Sequence, residues 1–262
     1  MNIGVSGASG HLGQAIIREL HARGRGHNIV AISRTPNTAI AGLDRLILIP
    51  SAQLEPGVRG RQISAAVDAA VKAGVAHVYL VSAAGTREET TPAIGEAYWT
   101  AEQHLIRHAP RWTIMRMNYY IEAMIDELKS AIDQGLVAGL GSERVAYVSR
   151  DDLAAALAGV LVSDGHSGAI YNVTGPETLS GEDRAAALSE VTGKSIPFVV
   201  ITEEVLQGGL NQAGLPDVVI GALTDIKRDF VAGKYDILTT DLERLSGRKP
   251  QRLRDLLAKS LA

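Results

Sequence analysis

The chain has no cysteine, which excludes disulfides, thiolate metal sites and cysteine nucleophiles. Aromatic residues are scarce as well, 4% of 262 residues: two Trp, seven Tyr and two Phe. The apolar 46% is therefore mostly Ala, Val, Ile and Leu, enough to bury a core and to exclude disorder. Neither charge dominates. Twenty-six basic residues stand against 29 acidic ones, a formal net charge of −3, with no basic block. Nucleic acid or an anionic membrane is therefore not the expected partner. Long apolar runs are missing too: the longest helical one, residues 153–162, lies between Asp152 and Asp164, too short for a bilayer. The chain runs at once into a strand and a glycine-rich loop, leaving no room for a signal peptide. A cytoplasmic protein is the expectation, built as one α/β unit or two closely joined domains.

Strand-like and helix-like runs alternate along the first half. Short apolar stretches at 2–6, 28–33, 45–49, 77–82 and 112–116 read as buried strands. Between them, residues 11–23, 60–73 and 95–108 carry helical periodicity, the second ending at Gly74. Near-continuous apolar strands separated by helices describe a parallel sheet covered on both faces. In the second half, helices fit around Met124–Ile132 and over 181–192, 202–213, 217–231 and 251–261. Strands fit Val145–Val148, Ala169–Val173 and Ile196–Ile201. Ser149-Arg-Asp-Asp152 reads as a capping box before an Ala/Leu helix. The fold class is thus a doubly wound, Rossmann-type parallel sheet with a smaller C-terminal α+β region. Residues 1–120 hold that sheet, and 121–262 form the smaller region packed on it, with no flexible linker between.

Gly7-Ala-Ser-Gly10-His-Leu-Gly13 stands between the first strand and the first helix, where a phosphate-binding turn belongs. One glycine allows the tight turn, one lets backbone approach a pyrophosphate, and one lets helix and strand pack closely. Gly7, Ser9, Gly10, His11, Leu12 and Gly13 are therefore expected at a dinucleotide, facing the positive end of the helix. A purely structural turn would show the same spacing; its place in a βαβ pattern favours the dinucleotide. The second strand ends in Ser33-Arg34 with no acid nearby, so Arg34 suits the 2′-phosphate of NADPH, and NADH is disfavoured. Strand ends add Pro50, Ser51, Ser82 and Ala83 to the cofactor side. Ser82 could hydrogen-bond an acceptor oxygen or the cofactor's carboxamide, or merely close a turn; Tyr120 could stack on an aromatic acceptor or merely pack.

Gly-Ala-Ser-Gly-His-Leu-Gly followed by Ala-Ile-Ser-Arg resembles the NmrA-like, atypical short-chain dehydrogenases. Similar to that family's signatures are Ala73-Gly-Val-Ala-His-Val-Tyr-Leu-Val-Ser82, Thr113-Ile-Met-Arg-Met-Asn-Tyr-Tyr120 and Ser149-Arg-Asp-Asp-Leu-Ala154. Gly168-Ala-Ile-Tyr-Asn-Val-Thr-Gly-Pro176 and Val191-Thr-Gly-Lys194 join them. Together they look like the branch of type 2 NAD(P)H:quinone oxidoreductases and triphenylmethane reductase. The resemblance implies a dinucleotide-binding domain over residues 1–120, a substrate region over 121–262, NADPH bound across the strand ends and hydride transfer to a quinone or similar conjugated acceptor. An NmrA-like redox sensor that binds dinucleotide without turnover is the alternative.

Two departures stand out. Standard members of the superfamily use a Tyr and, four residues later, a Lys. Aligning Glu102 with the glutamate that follows the pair puts Ile94 and Tyr98 at those positions, and neither can do that acid–base work. A quinone fits, because its product collects a proton from water; Ser82, Tyr98 and Tyr120 remain as catalytic candidates. The second departure is length: only Thr35 to Ala41 separate Arg34 from Gly42-Leu-Asp-Arg45. A parallel crossover needs about 10–12 residues, so no further strand fits there. Either the strand–helix unit beside the adenine pocket is lost, with weaker affinity, or a segment is omitted from the sequence. The second strand then becomes an edge that invites pairing with another copy, a homodimer.

Other constellations weigh less. His104 and His108 have the i, i+4 spacing of metal ligands, but no third ligand is indicated, and no metal is expected. The acidic pairs Glu88-Glu89, Asp151-Asp152 and Glu203-Glu204 read as loop, cap and helix first turn. No Ser-His-Asp spacing supports a hydrolase.

Overall fold

The structure, a computed structural model, describes residues 1–24, 26–33, 40–88 and 93–262. In chain order its first half runs β1 (Asn2–Ser6), α1 (His11–Ala22), β2 (Asn28–Ile32), β3 (Arg45–Leu48), α2 (Val58–Lys72), β4 (His77–Ala83), α3 (Ala93–His108) and β5 (Trp112–Met117). There follow α4 (Ile121–Gln134), β6 (Val137–Gly139), α5 (Arg150–Val162), β7 (Ala169–Val173), α6 (Gly181–Thr192) and β8 (Phe198–Val200). The chain closes with α7 (Glu203–Gln212), α8 (Asp217–Val231), α9 (Asp241–Ser246) and α10 (Leu253–Leu261).

Six strands make one parallel sheet in the order β2-β1-β3-β4-β5-β7. The central strand β4 is buried along its whole length and alternates strictly. Val78 and Leu80 face α2 and α3, among Ile63, Val67, Ala101 and Leu105. Tyr79 and Val81 face the opposite layer, where Ile16 of α1, Leu153 and Leu157 of α5 and Leu242 of α9 pack. Each such Leu or Ile contributes about 1.5–3 kcal/mol by leaving water. The doubly wound reading is therefore correct, and β7 and α5, from beyond residue 120, complete the first sheet.

The remaining second-half elements gather around another apolar core, with Ile121, Met124 and Leu128 of α4, Leu188 of α6, Phe230 of α8 and Leu257 of α10. There, β6 and β8 pair in parallel as a separate two-stranded sheet. Three expectations need correction. Val145–Val148 is not a strand; it makes only isolated bridges, Val145 to Leu179 and Tyr120 to Val148. The strand near residue 200 is three residues long, and its partner β6 and the short α9 carry no periodicity long enough to read. The capping box at Ser149 is half formed. Ser149 Oγ accepts from Asp152 N at 3.0 Å, while the Asp152 carboxylate turns to Gln251 N at 2.7 Å. The complete box lies instead at Ser180 and Asp183, opening α6.

Among the described residues nothing pairs with the outer edge of β2. Residues 34–39, and Arg34 with them, lie outside the described part. Of the described helices, none is long and apolar enough to cross a membrane.

Candidate functional site

All six strands of the sheet end on one edge, and the glycine turn sits on it. Gly7 adopts a φ of +62°, and Gly10 N donates to Gly7 O at 2.9 Å, closing the turn. A Cβ on Gly13 would stand 2.3 Å from that same carbonyl, so only glycine lets α1 approach so closely. Ala8 N donates to Ile32 O, and Ser6 Oγ accepts from Ile49 N, tying the turn to β2 and to the end of β3. Gly10 caps α1 without a side-chain hydrogen bond, and no acidic residue enters the first turn. The helix end therefore keeps its N–H groups and positive potential for an anion. Ser9, Gly10 and His11 are exposed there. Leu12 departs from expectation, because its side chain packs into the core; only its backbone faces the turn.

Beyond the turn, Ser51 Oγ bonds Gln62 Oε1 at 2.5 Å, and Ser51 O accepts from Arg59 Nε at 2.9 Å. Pro50 is half-buried beside it. On β4, Ala83 is nearly buried and Ser82 is wholly so. The Ser82 hydroxyl donates to Glu102 Oε1 at 2.6 Å. The Glu102 carboxylate also accepts from Arg116 Nε at 3.0 Å and Nη2 at 2.6 Å. Because β4 and β5 are in register at Ser82 and Arg116, α3 drops one buried carboxylate between them. Ser82 therefore has no free proton for an acceptor. Glu102 figured in the sequence only as an alignment marker, and nothing local announced its two partners.

Three phenols stand near the ends of β4 and β5. Tyr98, on α3, is 5% exposed and has the Arg59 guanidinium over its ring at 5.4 Å. Tyr120, just after β5, carries Arg150 over its ring at 5.1 Å. Tyr235, which the sequence did not single out, packs its ring 3.4 Å from where a Gly85 Cβ would be. Burial pushes all three hydroxyls up, and Tyr98 adds to the rise at both Tyr120 and Tyr235. They stay protonated throughout the neutral range and act as donors, never as bases. Tyr119 points elsewhere, to Glu127 at 3.1 Å and the edge of Phe230.

A latch joins the loop after β4 to α8. Arg87 makes a two-pronged pair with Asp229, at 3.0 and 2.9 Å, and also donates to Gly85 O. The histidines 104 and 108 stack at 4.1 Å on α3, and His104 Nε2 meets Asp68 at 2.6 Å. Among the described residues no group of three or more His, Asp or Glu could hold a metal.

No family model matches the chain. It is 27% identical over 249 residues to quinone oxidoreductase 2 of Escherichia coli, covering 85% of this chain and 86% of that protein. It is also 27% identical over 227 residues to the NAD(P)H azoreductase of Xenophilus azovorans, covering 84% and 78%. Of solved structures, the triphenylmethane reductase of Citrobacter sp. superposes with a TM-score of 0.89 at 25% identity, covering 100% of this chain and 99% of that one. In sequence and in fold, the chain resembles the NmrA-like, atypical short-chain dehydrogenases over most of its length.

Proposed function

We propose that this protein is an NADPH-dependent oxidoreductase that passes hydride to a quinone or a similar conjugated acceptor. The closed glycine turn carries the reading: its geometry leaves backbone N–H groups and a helix end bare where a pyrophosphate would lie. Gly7, Ser9, Gly10, His11 and Gly13 would hold the phosphates, with the Leu12 backbone, Pro50, Ser51 and Ala83 further along the strand ends. Arg34 would meet the 2′-phosphate, which makes NADH the weaker ligand. When bound, the reduced nicotinamide supplies the hydride. The chain's own part is to orient the acceptor against Tyr98 and Tyr120, because its phenols are poor acids and Ser82 is committed to Glu102. A conjugated acceptor suits such a site, since its reduced oxygen takes a proton from water. The names of the quinone- and azo-reducing relatives support that acceptor class. Residues 1–120 serve the dinucleotide and, through Tyr98 and Tyr120, one side of the acceptor site; 121–262 supply the rest of the acceptor side, apart from β7 and α5. The edge of β2, unpaired among the described residues, fits a homodimer, and a monomer by sedimentation across the working concentration range would remove that part.

Purified protein should oxidise NADPH with a panel of quinones and azo dyes, faster than NADH. No oxidation with any of them sinks the reading. Arg34→Ala should erase the NADPH preference; an unchanged preference would take Arg34 out of the site. The burial of Ser82 and Tyr98 also favours a second reading, a redox sensor that binds dinucleotide without turnover. Calorimetric NADPH binding without steady-state oxidation would establish it.

A further inference from the structure

Three cations are buried among the described residues: Arg59, Arg184 and Lys227. Arg184 lies on Glu143, and Lys227 lies on Glu127 at 2.5 Å. Arg59, only 8% exposed, has no carboxylate among the described residues. Its one hydrogen bond to the backbone runs from Nε to Ser51 O, and its guanidinium carbon lies 5.4 Å from the Tyr98 ring centre, with a side-chain hydrogen bond to that phenol. Neither Nη atom is sealed from solvent without a partner. The first turn of α2 adds no acidic residue, and Gly57 caps it with no side chain.

Burying a charge without a counter-charge is costly, and a site that keeps one does so where an anion comes to meet it. Two neighbours say which anion. Phosphates are served by the N-terminus of α1, two strands' width from β4, where no arginine is needed. Arg59 instead abuts Tyr98, whose phenol is grouped with Tyr120 and Tyr235 at the strand ends expected to face the acceptor.

We infer that Arg59 binds the oxyanion that forms on the acceptor when hydride reaches it. The inference rests on the hydride-transfer reading above. In that step H⁻ adds to the conjugated acceptor with its electron pair, and a carbonyl π pair moves onto oxygen. The acceptor is reduced to a monoanion, the nicotinamide is left oxidised, and water later supplies one proton to the oxygen. Guanidinium N–H groups donate to that oxygen while its charge grows, and such donors are worth most in a site shielded from water. Arg59 is thus a catalytic residue that the tyrosines alone cannot replace, since a neutral phenol offers one hydrogen bond and no charge.

The test uses wild type, Arg59→Met and Arg59→Lys, each checked for native circular dichroism. 4-Nitrophenolate, a stable phenolate, is titrated optically in the presence of NADP⁺, and NADP⁺ alone is titrated by calorimetry. Arg59→Met should lose at least about tenfold in phenolate affinity and about a hundredfold in quinone kcat, as removal of an oxyanion donor does. NADP⁺ affinity should hold within about twofold, Arg59→Lys should fall between, and added methylguanidinium should restore part of the Arg59→Met loss. Unchanged phenolate affinity in Arg59→Met, or no phenolate binding by wild type, overturns the inference. So does a tenfold loss of NADP⁺ affinity, which would make Arg59 a phosphate ligand. Phenolate bound through Arg59 by a wild type that reduces no quinone would leave the anion site standing and remove the acceptor reading alone.

Discussion

Single residues decide more here than their chemistry in isolation announces. Ser82 looks like a strand-end hydroxyl free to meet a ligand, yet it donates to Glu102, whose carboxylate Arg116 also holds. Removing that carboxylate leaves Arg116 and Ser82 half-satisfied in a buried place, so Glu102→Ala should cost about 3 kcal/mol in urea unfolding. A loss under about 1 kcal/mol would show that water replaces the carboxylate. His77 is a second case. Burial, with Arg111 and Arg45 nearby, lowers its pKa to about 4. Its ring nitrogens instead meet Thr113 Oγ1 at 2.8 Å and the Tyr79 hydroxyl at 3.2 Å. The unfolded chain therefore binds the proton first as pH drops below 6.5, and stability declines until about pH 4. Over that window the loss should reach about 3 kcal/mol, because each pH unit in it costs about 1.36 kcal/mol. His77→Asn should flatten that window in denaturant titrations at pH 7 and pH 4.5.

At the scale of elements, the ends matter more than the middles. The α1 N-terminus is bare because Gly10 caps it with no side chain, and Gly13 lets it close against the Gly7 carbonyl, so Gly13→Ala should weaken NADPH binding by at least about tenfold in calorimetry. Intact affinity would mean that the turn opens without loss. The start of α6 is closed by a reciprocal Ser180–Asp183 box, and Ser180→Ala should cost about 1 kcal/mol of thermal stability. Ser149→Ala at α5 removes one bond to Asp152 N, and Gln251 Nε2 also loses its partner at 3.2 Å. Helices and central strands were legible, because a 3.6-residue stripe or a short, wholly apolar run survives any local accident. The three-residue β6 was not, and its partner β8 was read too long, at 196–201: they pair two segments far apart in the chain, and no local pattern encodes that pairing.

The whole molecule divides along the same line. From the sequence alone came the parallel sheet, the glycine turn between β1 and α1, the shortened connection after Arg34 and the resemblance to NmrA-like reductases. Each is written in neighbouring residues, in composition or in spacing, and so needs no knowledge of what touches what. Only the tertiary structure set Glu102 between Ser82 and Arg116, brought Tyr235 to Tyr98 and Tyr120, and left Arg59 buried without a carboxylate among the described residues. A charged residue in a helix reads as solvated until the packing of other elements removes its water. That removal is a property of the assembled chain, and it is what turns an ordinary arginine on α2 into a candidate for binding charge.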